Sequence, residues 1–211
     1  MSDFTLPKGI YGITSEMFSK GRKNIDIVKT MIKCGVKIIQ YREKENKTIR
    51  EKYNECLEIR KITRDNNVIF IINDYIDIAM LVDADGVHIG QEDLPLLEVR
   101  KLFPNKIIGI STHKPEDAIE AVKNGADYIG VGPIFKTFTK SNVCNPVGLN
   151  YIDFVRQNIN LPFVAIGGIK INNIKEVISH GAYCIAMVTE ILESDDIEDK
   201  LNKINKIIVN S

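Results

Sequence analysis

Gln40, Arg42 and Lys44 stand at alternate positions in IIQYREK, residues 38–44. In an extended chain such a spacing points all three to one face. An amide, a guanidinium and an ammonium together suit an anionic ligand with several acceptor oxygens. Tyr41 and Glu43 fall on the other face. A strand running out into a solvated loop would show the same spacing, so this stretch alone leaves both readings open.

A second group lies in INDYIDIAMLVDADGVHIGQEDL, residues 72–94. Asn73 and Asp74 close one apolar run, and Gln91, Glu92 and Asp93 follow another. Two carboxylates beside an anionic substrate are a usual arrangement for Mg²⁺, which keeps waters and takes phosphate oxygens. Asp93 could instead cap a helix in LPLLEVRKLF. Asp77 reads as surface, and Asp83 and Asp85 as structural residues ahead of a strand. His88, in phase with Gly86 and Gly90, reads as a packed, hydrogen-bonded histidine rather than a catalytic one. Ser111 ends KIIGIS, and Thr112 and His113 after it could cap the next helix.

Two further places carry polar chemistry. Thr137, Thr139 and Lys140 are donors in the long stretch GPIFKTFTKSNVCNPVG, residues 132–148. A loop of that length in a compact domain is commonly functional, and one like it could close over a ligand. Gly167 and Gly168 end AIGG, where backbone N–H groups can approach a ligand with no side chain between.

What must position these residues is a series of short β-branched runs: 10–14, 36–41, 68–73, 84–89, 106–111, 127–132, 162–167 and 184–188. Most are continuous apolar stretches, as expected of parallel strands covered on both faces. Amphipathic segments alternate with them. Residues 24–35 carry Ile25, Val28 and Ile32 at helical spacing and stop at a glycine. Pro115 opens another helix that closes at Gly125, and Gly181 closes a third. Eight such units predict a (β/α)₈ barrel, a TIM barrel, as one domain over 1–211. An open doubly wound sheet is the alternative. In the barrel every candidate above lies where a strand ends, the customary place for an active site, and the loops after the seventh and eighth strands are its usual phosphate site.

The totals narrow the function. The chain has 211 residues, 44% of them hydrophobic and 27% charged, with a formal net charge of zero. With no basic excess, nucleic acid is not an expected partner. No signal-peptide core and no run of about 18 apolar residues is present, so a cytoplasmic protein without a membrane span is expected. Cys34, Cys56, Cys144 and Cys184 form no CxxC pair and read as reduced thiols. No GxSxG elbow occurs. A homo-oligomer stays open.

QYREK, INDYIDIA, ADGVHIGQEDLP, IGIST, GADYIGVGPIFKTFTK, AIGGI and GAYCIAMVTEI together resemble the thiamine phosphate synthase family, in order along nearly the whole chain. The resemblance implies a TIM barrel that joins two small phosphorylated substrates. These are 4-amino-2-methyl-5-(diphosphooxymethyl)pyrimidine and a thiazole phosphate, or its carboxylated precursor. The products are thiamine phosphate and diphosphate, and the cofactor is Mg²⁺. It implies that Gln40, Tyr41, Arg42, Glu43, Lys44, Asn73, Ser111 and Lys140 bind the pyrimidine diphosphate. Arg42, Lys44, Lys140 and Ser111 would act on the leaving group, and Asp74 and Asp93 would hold Mg²⁺. Thr137, Phe138, Thr139, Gly168, Val188 and Thr189 would bind the thiazole phosphate. Thr189 stands where the family usually has serine, which keeps a hydroxyl and adds a methyl.

For those substrates the charges suggest a dissociative substitution at the pyrimidine CH₂, with no covalent enzyme intermediate. Three rivals remain. A thiazole tautomerase on the same barrel would not need the diphosphate clamp. A phosphate-ligand sensor would not need a metal pair. An unrelated phosphosugar isomerase would use a different acid–base set.

Overall fold

A computed structural model describes residues 4–43, 47–137 and 145–210. The apolar runs form a closed barrel of parallel strands in chain order. They are β1 Gly9–Ile13, β2 Ile38–Tyr41, β3 Ile69–Asn73, β4 Gly86–Ile89, β5 Ile107–Thr112, β6 Tyr128–Val131, β7 Phe163–Ile166 and β8 Cys184–Ala186. Closure is direct, because β1 pairs with both β2 and β8. The TIM barrel expected from the alternating pattern is therefore the fold, and the open sheet is not.

Helices fill the connections: α1 Asn24–Lys33, α2 Ile49–Asp65, α3 Ile76–Leu81, α4 Leu96–Leu102, α5 Pro115–Lys123, α6 Leu149–Asn158, α7 Ile174–Ser179, α8 Val188–Leu192 and α9 Ile197–Val209. Their limits follow local chemistry. Thr48 and Glu51 form a reciprocal capping box at the start of α2. Pro115 opens α5, and Gly35, Gly125 and Gly181 take the left-handed conformation just past three helix ends.

Strand alternation divides the core in two. The larger apolar cluster lies between the sheet and the helices and includes Tyr41, Phe70, Ile72, Val87, Ile108, Ile129 and Ala165. The smaller fills the barrel with Tyr11, Ile13, Ile38, Ile71, Tyr128, Val164, Cys184 and Ala186. Leu6 of the N-terminal segment joins the inner cluster, and Phe4 tilts against the Tyr128 ring, 6.0 Å between centroids. Burying one such isoleucine contributes about 1.5–3 kcal/mol.

At the N-terminal end of the strands one brace occurs twice. Asp85 accepts two hydrogen bonds from Arg60, at 2.7 and 2.9 Å, and one from the Phe70 N–H at 2.8 Å. Asp127 accepts from Arg100 at 2.6 Å and from the Ile108 N–H at 2.8 Å. Each carboxylate ties a helix to the strand that follows it. Asp83 pairs with Arg64 and Lys106 at the surface, and Asp77 is exposed. The structural and surface roles expected for these aspartates are what they have.

Three local expectations are corrected. Asp93 does not cap α4, which starts after Pro95 with no side-chain cap. Instead Asp93 closes a tight turn, accepting from the Gly90 N–H at 2.6 Å. Thr112 and His113 do not cap α5, whose N-cap is Lys114. Thr112 donates to the Gly130 carbonyl across the sheet and His113 lies against the Gly132 carbonyl. The last strand ends at Ala186, not at residue 188, because Val188 is already the first residue of α8.

Candidate active site

The strand register brings the polar candidates to one rim. Gln40 follows Ile38 on the inner face of β2, Asn73 follows Ile71 on β3, and Ser111 follows Gly109 on β5. Asn73 is paired with His88, and His88 with Gly109. Gln40 and Asn73 are buried and Ser111 half-buried.

Arg42, just past β2, continues the inward phase of Gln40. Its backbone N–H donates to the buried Thr14 hydroxyl at 3.1 Å. Burial lowers the pKa of its guanidinium, and the neighbouring charges of Asp74 and then Glu43 oppose that shift. Asp74 lies beside this cation. It has left-handed backbone geometry, φ 63°, which Asp tolerates better than most side chains. Its N–H donates to the His88 carbonyl at 3.0 Å, which fixes the turn after β3 to β4. Asp93 follows β4, the next strand. Its Gly90 turn engages Oδ2.

Tyr41 and Glu43 do not share this face. Their side chains turn into the layer beneath α1 and α2. The Tyr41 hydroxyl donates to Glu55 at 2.6 Å. Glu43 accepts from the Glu16 N–H and from Asn24 Nδ2 at 2.9 Å. Lys47 closes the group, bonded to Glu16 at 2.9 Å and Glu55 at 2.7 Å. This polar cluster anchors the loop behind Arg42, and the sequence reading missed it because its members come from four separate segments. Lys44 lies outside the described residues, as do Phe138, Thr139 and Lys140.

The other side of the mouth is built from backbone. Ile134 and Phe135 donate to the carbonyls of Ile166 and Gly167 at 3.0 and 2.9 Å, so the β6 loop runs along the β7 loop. This brings the segment carrying Thr137 beside Gly168. Gly168 has φ 65°, and a Cβ there would strike the Lys136 carbonyl and Phe135. Val188 and Thr189 open α8, and first-turn N–H groups have no acceptor within their own helix. Arg22 ties the far end of α8 to the β1 loop, donating to the carbonyls of Ser19, Leu192, Ser194 and Asp195.

Beneath the rim runs a hydrogen-bonded chain that the sequence reading did not foresee. Gln40 Nε2 donates to the Tyr11 hydroxyl at 3.1 Å, and the Tyr11 and Tyr128 hydroxyls are 2.7 Å apart. Tyr128 meets His88 Nδ1 at 3.0 Å, and His88 Nε2 meets Ser111 Oγ at 3.0 Å. Burial raises the pKa of both phenols, so both stay protonated. The expectation of a packed, hydrogen-bonded His88 holds. Tyr11 and Tyr128 could have been suspected only as polar residues in phase with the inner face.

Residues 10–191 match the sequence profile of the family described as thiamine monophosphate synthase. The chain belongs to that family. A thiamine-phosphate synthase of Pelotomaculum thermopropionicum is 59% identical over 96% of this chain and 93% of its own length. One from Caldicellulosiruptor bescii is 54% identical over 94% and 91%. The solved thiamine phosphate pyrophosphorylase from Pyrococcus furiosus superposes with a TM-score of 0.87 at 33% identity, covering 96% of both chains. Membership assigns the chain the activity of a thiamine-phosphate synthase, a transferase. The tautomerase alternative is not favoured.

Proposed function

We propose that this chain makes thiamine phosphate by a Mg²⁺-assisted dissociative substitution at the rim described above. Arg42, drawn partly out of water beside Asp74 at the rim that also carries the strand-end residues Gln40, Asn73 and Ser111, is the observation that carries this reading. A guanidinium brought partly out of water is costly, and a polyanionic ligand offsets that cost. The pyrimidine diphosphate is such a ligand.

Asp74 and Asp93 would hold Mg²⁺. The donor set fits a hard cation: both groups are carboxylates at adjacent strand ends, and only one oxygen of Asp93 is engaged by its own turn. When bound, the ion adds positive charge against the diphosphate. Arg42 stabilises the negative charge that builds on the departing oxygen as the CH₂–O bond breaks, an electrostatic role. Lys44 and Lys140 join it by their place in the sequence. The bonding pair leaves with diphosphate, and the 4-amino group of the pyrimidine donates electron density to the CH₂ carbon. Gly168, Thr137 and the first-turn N–H groups of Val188 and Thr189 hold the thiazole phosphate, so that the thiazole nitrogen forms the new C–N bond. No side chain of the enzyme is alkylated.

The test is a reaction of the purified protein with both substrates and Mg²⁺. Thiamine phosphate and diphosphate should appear in equal amounts. No thiamine phosphate would remove the proposal. Full activity in Arg42→Ala would remove the leaving-group clamp, and a tautomerase would be indifferent to that change.

A further inference from the structure

We infer that Tyr11, Tyr128 and His88 are positioning residues whose hydrogen-bonded chain has one polarity, fixing Ser111 as a donor and Gln40 as an acceptor toward the pyrimidine. This rests on the proposed use of that rim.

The polarity follows from counting protons. Gln40 gives an N–H to the Tyr11 oxygen, so the Tyr11 proton is directed to Tyr128, 2.7 Å away. The Tyr128 oxygen already receives that proton and gives its own to His88 Nδ1. A neutral imidazole that accepts at Nδ1 carries its proton on Nε2. That proton goes to Ser111 Oγ. The Ser111 hydroxyl hydrogen then points away from His88 and is available to a ligand. At the other end, Gln40 gives one of its two N–H groups inward to Tyr11, and its Oε1 accepts from the ligand. Running the chain backwards would place two donors against each other at Gln40 and Tyr11, unless the amide turned over.

The barrel is shaped around this chain. A Cβ at Gly109 would run into the Tyr128 ring, and one at Gly130 would lie 3.3 Å from His88 Cε1. A ligand between them would offer an acceptor to Ser111 and a donor to Gln40. A 4-aminopyrimidine offers a ring nitrogen and an exocyclic amine. Its 4-oxo counterpart offers the reverse pair, and a buried mismatch of donors is costly.

Three measurements test this. Nitrogen-15 chemical shifts of the His88 ring, assigned by their absence in His88→Gln, should show the Nε2–H tautomer in the wild-type protein. An Nδ1–H ring there would overturn the inference. Calorimetry with Mg²⁺ and no thiazole phosphate should show the 4-amino pyrimidine diphosphate binding at least tenfold more tightly than the 4-oxo analogue. Equal affinity for both overturns the polarity alone. Failure of both to bind would instead overturn the function proposed for the rim.

Tyr128→Phe should narrow that preference and raise KM for the pyrimidine substrate about tenfold, leaving KM for the thiazole phosphate unchanged. Tyr11→Phe is the second variant should Tyr128→Phe not fold. His88→Gln, which keeps one acceptor and one donor, should retain more activity than His88→Leu. Equal losses in those two, or equal rises in both KM values, would mean a merely structural role.

Discussion

The Tyr128 ring fills the space that a side chain on Gly109, its registered partner on β5, would occupy. Gly109→Ala should push the ring aside and break its bond to His88. Overpacking of this kind costs about 1–3 kcal/mol. Urea denaturation should show that loss, and turnover should fall further than the fraction unfolded explains. A variant with wild-type stability and rate would show that the ring can move freely.

Removing Asp127 should act on stability and not on chemistry. Its carboxylate is buried, pairs with the Arg100 charge and accepts from the Ile108 N–H. Asp127→Ala should cost about 3 kcal/mol, the range for breaking a buried pair. The rate per folded molecule, measured well below the lowered Tm, should match wild type.

Asp74→Asn should weaken Mg²⁺ binding and slow the reaction at least about 100-fold, the scale for lost electrostatic stabilisation. Mg²⁺ titration calorimetry reads the first effect without turnover. Chelation of the wild type should abolish activity, and added Mg²⁺ should restore it. Unchanged Mg²⁺ affinity in the variant would remove Asp74 as a ligand.

The Glu16–Lys47 pair should give stability a definite pH window. Burial alone would raise the Glu16 carboxyl, but Lys47, the Asn24 N–H and Lys23 bring it below its ordinary value. Burial alone would lower the Lys47 ammonium, but Glu55 and Glu16 raise it. A carboxyl whose pKa is depressed on folding contributes stability above its unfolded value, and the contribution is lost as pH falls through the folded one. An ammonium whose pKa is raised contributes below its unfolded value, about 10.4, and loses it as pH rises through the folded one. Denaturation of Lys47→Met across pH should show a smaller loss between about pH 5 and 3 than wild type does. An identical acid limb would disprove the coupling.

Thr189→Ser should leave KM for the thiazole phosphate within about twofold, because hydroxyl and backbone N–H both remain. Thr189→Val should raise it about tenfold, the value of one bond to a charged group. Steady-state kinetics at saturating pyrimidine substrate separates the two cases.

The barrel was legible because its strands are continuous apolar runs and its helices stop at glycines. Strand phase also put Gln40 on the inner side, where it reaches Tyr11, since alternation is a property of the chain itself. Tyr41 and Glu43 fit the same rule, and their side chains duly point outward. What stayed hidden needed register between strands. Tyr11 and Tyr128 look like ordinary core aromatics until β1 and β6 face each other across the barrel. The alternative of Asp93 as a helix cap failed because Pro95 takes that position.

The two carboxylate braces, Arg60 with Asp85 and Arg100 with Asp127, recur in the same role two strand–helix units apart and wholly outside the mouth. Such a repeat is what tandem copying of a smaller βαβα module would leave behind. Because each brace is a local closure, a loop at the opposite end can be lengthened, shortened or exchanged without loosening either one. The rim is therefore the part of this chain open to evolutionary or laboratory reworking, while the braced end marks what any descendant has to keep.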